Sequence, residues 1–159
     1  MKFVESRQNA IVRAFRDAAD APAADGDRML LDGAHLVREA RDAGLAFEAV
    51  VVAASSLESR TEEGVLAGEL ARANVNVIAA ADRVFNAVSP VRHPSGIVAI
   101  ARRSPAAPAI VCSGDRAFVL AAVDVQDPGN VGSLIRAAEA GGATGALVCG
   151  RSANPFSWP

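Results

Sequence analysis

The chain has few cysteines and no long apolar run, and these two features restrict the classes of protein to which it can belong. Cys112 and Cys149 lie far apart, with no second cysteine or histidine at metal-ligand spacing, so we predict buried reduced thiols and no metal site. No stretch approaches the ~18 apolar residues of a membrane span, and the charged N-terminus is not a signal peptide. We therefore expect a cytoplasmic protein with no membrane partner.

Positive charge is also scarce. The net charge is −2 and Lys2 is the only lysine, so any binding of nucleic acid must use local groups of arginine. Apolar residues make up 51% of the 159 residues and charged residues 21%, which is enough for a packed core. The length suits one domain or two small ones.

Strand and helix patterns alternate along the first hundred residues. The predicted strands are 29–31, 49–52, 75–79 and 96–101, and the predicted helices are 6–19, 33–43, 62–73 and 82–88. Residues 20–27 have the composition of a loop. This alternation favours an α/β fold with a mostly parallel sheet covered on both faces.

A proline-containing segment then separates two parts of the chain. Pro105 and Pro108 give residues 102–113 the composition of a linker, so we place a domain boundary near residue 104. The predicted domains are therefore 1–103 and 104–159. The second contains a strand at 118–125, a polar turn QDPGN, a helix from 131 to 140 and a strand at 146–149.

The turn after the strand at 118–125 is the most informative segment. Pro128 and Gly129 suit a turn, Asn130 is a good N-cap, and Gly132 allows close approach to the first helical turn. Arg136 emerges from an otherwise apolar helix and must reach solvent or a partner. From the residues alone, Arg136 could be an ordinary surface residue and Asn130 only a cap. The segment is neither a P-loop nor a G-x-G-x-x-G motif.

The run DPGNVGSLIRAAEAGGATGALV resembles the first motif of the SpoU type of RNA 2′-O-ribose methyltransferases, TrmH-like members of the knotted SPOUT superfamily. The likeness covers Asn130, Gly132, Arg136 and the glycines at 141 and 142. It implies that Arg136 is the catalytic arginine, acting on the ribose 2′-hydroxyl, and that Asn130 holds RNA or shapes the site. It also implies S-adenosylmethionine as methyl donor, no metal, and a homodimer for the complete family member.

The first hundred residues resemble the family's small α/β RNA-binding domain, which is similar to certain ribosomal proteins. The matching runs are ESRQN, LLDGAHLVREA and HPSGIVAIARR, with Asp32 where the family has glutamate. The candidate RNA contacts are Ser6, Arg7, Asn9, Gly33, His35, Arg92 and His93. Each also has an ordinary alternative role as a helix-end, helix-face or loop residue.

The resemblance implies that the chain holds only the beginning of the α/β-knot methyltransferase domain. The two further motifs that form the knot and the donor pocket are expected beyond Pro159, so we predict that the 159-residue chain alone is inactive. The expected function is ribose 2′-O-methylation of RNA, with rRNA as substrate and tRNA as the other possible RNA. The alternative is a non-catalytic RNA-binding module, which would show no binding of S-adenosylmethionine.

Overall fold

The computed structural model describes residues 1–20, 27–103 and 105–156, which divide into two compact units. The first unit comprises residues 1–20 and 27–103, and the second comprises residues 105–156. Both combine helices and strands, so the predicted α/β class is confirmed. Most of the predicted loop at 20–27 lies outside the described residues. No helix in these ranges is both long enough and apolar enough to cross a membrane.

The first unit contains five strands and five helices in its described residues. In chain order they are β1 (Lys2–Val4), α1 (Ala10–Asp20), β2 (Arg28–Asp32), α2 (Ala34–Asp42), β3 (Phe47–Ala53), α3 (Ala54–Glu58), α4 (Glu62–Arg72), β4 (Val77–Ala80), α5 (Asp82–Val88) and β5 (Ile97–Arg102).

The first helix begins later than its sequence pattern predicts. The Asn9 side-chain oxygen accepts a hydrogen bond from the backbone N–H of Ile11 at 3.0 Å, as an N-cap does. The Ser6 hydroxyl instead accepts from the N–H of Gln8 at 3.2 Å, within the turn before α1. Asn9 therefore caps α1, three residues after the predicted helix start at Ser6.

The five strands form one sheet in the order β1-β4-β3-β5-β2. The pairs β1–β4 and β3–β4 are parallel, but β5 is antiparallel to both β3 and β2, so the expected mostly parallel sheet is in fact mixed. The loop before β5 lies beside the end of β2, where Ser89 and Ser95 both donate to the carboxylate of Asp32. From this loop β5 enters the sheet at the edge where the other strands leave it.

Helices cover both faces of this sheet. Along β3, Val51 faces the core that contains Phe15 of α1 and Phe85 of α5, whereas Val50 and Val52 face the core beneath α2 and α4. All three valines are fully buried. Burial on both faces explains why these strands are continuous apolar runs without alternation.

The second unit is smaller and less buried. It contains α6 (Pro108–Val111), β6 (Val119–Val123), α7 (Pro128–Ala140) and β7 (Gly145–Cys149), with β6 and β7 paired in parallel. Only Ala122 and Val131 are buried among its described residues. The predicted burial of both thiols is wrong: Cys112 and Cys149 are exposed, because two helices and two strands bury little apolar surface.

Candidate functional site

The candidate RNA contacts of the first unit lie along one edge of its sheet. Strands β1, β4, β3 and β2 run in the same direction and β5 runs against them, so four strand ends and the start of β5 meet at this edge. We call it the C-terminal edge. Loops and helix starts at the C-terminal edge carry all seven candidates.

The structure separates these candidates into two groups. Ser6, Arg7 and Asn9 follow β1, whereas Gly33 and His35 follow β2, beside the loop 89–96 that carries Arg92 and His93. Strands β1 and β2 are the two outer strands, with three others between them. At about 4.8 Å per strand interval, the groups lie about 19 Å apart along the C-terminal edge.

Asp32 fastens the loop 89–96 beside β2. The Ser89 hydroxyl donates to one carboxylate oxygen of Asp32 at 2.6 Å, and the Ser95 hydroxyl donates to the other at 2.9 Å. The exposed side chains of Arg92 and His93 stand between these two anchors in the chain. Asp32 was not among the sequence candidates, although its place beside the candidate glycine was the available signal.

Gly33 and His35 occupy the start of α2. Gly33 adopts φ 99° and ψ 150°, a conformation open essentially to glycine alone, and its N–H donates to the Ile97 carbonyl at 3.0 Å. A Cβ there would meet the Ser95 hydroxyl only at 3.6 Å, so backbone conformation rather than space requires the glycine. His35 is exposed, with Nε2 3.4 Å from Glu39 one turn further along α2.

A cavity of about 280 Å³ lies in the middle of the C-terminal edge. Its polar lining includes Asp82, which accepts from both the backbone N–H (3.2 Å) and the hydroxyl (2.9 Å) of Ser55. At the β1 end, a wider cavity of about 590 Å³ is lined by Glu5, Ser6, Arg7, Gln8 and Arg83. Arg83 was missed from the sequence because an exposed arginine in a short helix carries no distinguishing pattern.

In the second unit, α7 begins at Pro128, three residues before the predicted helix start at 131. Asp127 is the N-cap, and its Oδ1 accepts from the backbone N–H of Asn130 at 2.7 Å. Pro128 takes the first helical position, where no N–H donor is needed. The predicted cap Asn130 therefore lies inside the helix, and its exposed side chain is not used for capping.

Arg136 lies exposed on α7 near the same turn. Its Nη2 donates to the Ser133 hydroxyl at 3.2 Å, and a Cβ on Gly132 would lie 3.4 Å from its Nη1. Ser133 in turn donates to the Gly129 carbonyl at 2.8 Å. No carboxylate lies within 4.0 Å of this guanidinium among residues 105–156, so its charge is not neutralised there. The glycine at 132 leaves room for the guanidinium against the helix.

The ends of β6 and β7 are tied together beside this turn. Asp124, with φ 55°, accepts at Oδ1 from the Arg151 N–H at 2.8 Å. The Ser152 hydroxyl donates to the Cys149 carbonyl at 2.7 Å and accepts from the Val125 N–H at 3.0 Å. These bonds fix the point where the chain leaves β6 for the turn and α7.

The second unit buries little apolar surface, because only Ala122 and Val131 are buried among residues 105–156. The described residues also contain no group of three or more histidine, cysteine, aspartate or glutamate side chains that could hold a metal ion.

Comparisons with known proteins agree with this architecture. Residues 24–99 match the family described as the MRM3-like substrate binding domain. An rRNA methyltransferase from Sinorhizobium meliloti matches with a TM-score of 0.79 and 25% identity, over 98% of this chain and 57% of that one. An RNA 2′-O ribose methyltransferase matches with a TM-score of 0.69 and 25% identity, over 97% and 58%.

The fold likeness extends to a more distant structure. The SpoU methyltransferase AviRb from Streptomyces viridochromogenes matches with a TM-score of 0.73 and 20% identity, over 94% of this chain and 54% of that one. The chain thus spans little more than half the length of these structures. A comparison with curated protein sequences gave no match.

Residues 24–99 are thus similar to a substrate-binding domain of the MRM3-like kind, and a β–α–β unit follows them. The chain is similar to RNA methyltransferases, which supports the resemblance of the run at residues 127–148 to the SpoU type of the SPOUT superfamily.

Proposed function

We propose that this chain is the RNA-binding and arginine-bearing part of an RNA 2′-O-ribose methyltransferase that acts on rRNA. The observation that carries the proposal is Arg136, an exposed arginine without a carboxylate partner among residues 105–156. It occupies the position of the motif at which the resemblance implies a catalytic arginine. In support, similar structures include an rRNA methyltransferase and an RNA 2′-O ribose methyltransferase.

The chemistry suits a free guanidinium. A ribose hydroxyl is a poor nucleophile near neutral pH, so its proton must leave as the methyl group is transferred. A positive charge beside that oxygen, or beside the adjacent phosphate, favours the anionic form and orients it. In this proposal Arg136 supplies the charge, and Asn130, whose side chain is not used for capping, holds the RNA near it.

S-adenosylmethionine is the proposed donor, and it supplies an electrophilic methyl group on a sulfonium when bound. A similar structure, the S. meliloti rRNA methyltransferase, was solved with this donor bound. Donor binding is assigned to no residue of the described chain.

In the first unit, we propose that RNA lies along the C-terminal edge. Gly33 shapes the start of α2, His35 is exposed beside it, and the anchored loop presents Arg92 and His93. Ser6, Arg7 and Asn9 form the second contact group, about 19 Å away. An RNA that touched both groups would cross all five strands.

Transfer of labelled methyl groups tests the proposal. A protein that joins this chain to a donor-binding domain is incubated with tritiated S-adenosylmethionine and rRNA, and the product is treated with alkali. A 2′-O-methyl group blocks alkaline cleavage at its own nucleotide, so resistance at one site is the expected result. Label on a base, with cleavage unchanged, would contradict ribose methylation. RNA binding without any transfer would favour the non-catalytic RNA-binding module.

A further inference from the structure

Three arginines lie along α5 on the α1 side of the first unit. Arg7 Nε donates to the Arg83 carbonyl at 3.1 Å, and Arg16 Nε donates to the Ala87 carbonyl at 3.1 Å. Arg83 Nη2 donates to the Glu5 carbonyl at 3.3 Å. We call Arg7, Arg83 and Arg16 the arginine row. Each of these guanidiniums donates to a backbone carbonyl, and none is paired with a carboxylate among the described side chains.

Four other arginines of the first unit are, by contrast, paired with carboxylates. The pairs are Arg28–Glu48 at 2.6 Å, Arg38–Glu62, Arg41 with Asp42 (2.9 Å) and Glu69 (2.8 Å), and Arg102–Asp27. The hydrogen bond to Asp42 contributes most to the raised pKa of Arg41. A carbonyl, in contrast, positions a guanidinium without cancelling its charge. Arg7 and Arg16 use only Nε to donate to the carbonyls of α5, so their Nη groups can donate to another acceptor.

The row has a regular spacing. The carbonyls of Arg83 and Ala87 are four residues apart on α5, so they lie about 6 Å apart along the helix axis. The Ala87 carbonyl belongs to the last turn of α5, where a cation is favoured by the helix dipole. Arg7 and Arg83 also line the cavity of about 590 Å³ at the β1 end of the C-terminal edge.

Among the described side chains, three carboxylates are neighbours of the row in the cavity or in the chain. Glu5 lines the same cavity, Asp17 follows Arg16 on α1, and Asp82 precedes Arg83 on α5. None lies within 4.0 Å of an arginine of the row within residues 1–20 and 27–103. Asp82 is engaged by Ser55, so Glu5 is the carboxylate that opposes an anion in the cavity.

We propose that the arginine row binds the phosphodiester backbone of RNA, with Arg83 and Arg16 as contacts in addition to Arg7. The inference rests on the proposed RNA substrate and deepens it. Paired guanidinium N–H groups match the oxygens of a phosphate, and such contacts fix register without reading sequence. The row thus positions RNA at the β1 end, while the loops beside β2 contact it at the other end of the C-terminal edge.

The salt dependence of RNA binding tests this assignment. The probe is a fluorescein-labelled oligouridine that is long enough to cross the edge, and anisotropy is measured between about 50 and 200 mM salt. Arg7→Gln and Arg83→Gln should each weaken binding and lower the slope of log K against log salt by about 0.7. The matched control is Arg38→Gln, which removes the same charge from a paired arginine on α2 and should leave the slope unchanged.

Two further variants separate charge from structure. Arg7→Lys keeps the charge and should retain most of the slope, even if its melting temperature falls. Glu5→Gln removes the opposing carboxylate and should tighten binding. Parental affinity and slope in both Arg7→Gln and Arg83→Gln would overturn the row while leaving the proposed function intact. Failure of the unmodified chain to bind any RNA would overturn both.

Discussion

A single carboxylate, Asp32, determines where the loop 89–96 lies. Both of its oxygens accept serine hydroxyls, at 2.6 and 2.9 Å, so the loop is fastened at both of its ends. Arg92 and His93 are on the loop between these anchors. Their proposed role as RNA contacts therefore depends on a residue that need not touch RNA itself.

Replacement of Asp32 tests this dependence. Asp32→Ala removes two hydrogen bonds to a charged acceptor, and we expect a loss of about 2 kcal/mol in the free energy of unfolding, measured by urea denaturation. RNA affinity should also fall at temperatures where the variant is fully folded. Ser95→Ala, which removes one of the two bonds, should show a smaller loss. Parental stability and affinity in Asp32→Ala would show that the loop holds its place without this anchor.

Arg136 should matter for activity far more than for stability. In a protein that joins this chain to a donor-binding domain, Arg136→Lys loses the planar fork that can engage two oxygens at once. We expect a cost of about 3 kcal/mol in the transition state, roughly a hundredfold in rate. Because Arg136 is exposed, the unfolding free energy should change by no more than about 1 kcal/mol.

The control for Arg136 is Arg116→Lys, since Arg116 is also an exposed arginine of the second unit. Its rate of methyl transfer should equal that of the parent. If Arg136→Lys melts like the parent and also methylates at the parental rate, Arg136 is an ordinary surface residue and the main site assignment is wrong.

At the scale of elements, the start of α7 depends on Asp127. Asp127→Ala removes the acceptor for the Asn130 N–H, and loss of such an N-cap typically costs about 1 kcal/mol. We expect lower helicity in the second unit by circular dichroism. Asp127→Asn, which keeps an oxygen acceptor, should restore most of it. Equal helicity in all three proteins would mean that the turn holds α7 without the cap.

Sequence patterns predicted the longer elements of the first unit well. The expected helices at 62–73 and 82–88 correspond to Glu62–Arg72 and Asp82–Val88, because apolar spacing and capping are local signals. The short elements β1 and α3 were missed, since three and five residues show too little periodicity. The direction of β5 could not be predicted because the pairing of β5 with β2 and β3 joins residues far apart in the chain.

The candidate site was predictable only as a set of residues. Resemblance selected Gly33, His35, Arg92 and His93, but their separation from Ser6 and Arg7 follows from the strand order β1-β4-β3-β5-β2. Strand order is a non-local property with no signal in a single segment. The cap at α7 was assigned to Asn130 because both asparagine and aspartate favour that position, and only the hydrogen bond identifies Asp127.

At the scale of the whole molecule, the two units differ in how much core they possess. Both apolar clusters of the sheet lie within residues 4–100, whereas residues 105–156 bury only Ala122 and Val131. We therefore expect a fragment 1–103 to melt cooperatively in calorimetry and a fragment 105–156 to show no cooperative transition. A non-cooperative 1–103 fragment would show that its core requires the rest of the chain.

The position of β5 has a consequence for biosynthesis. β5 lies between β3 and β2 and is the last strand of its sheet to be translated. Until residues 97–102 leave the ribosome, β3 and β2 each present a row of unpaired N–H and carbonyl groups, to which a strand of another nascent chain can pair. When the six residues of β5 insert between β3 and β2, they pair with both of these strand edges at once. The interval in which this domain is vulnerable to aggregation therefore runs from the synthesis of β2 to that of β5.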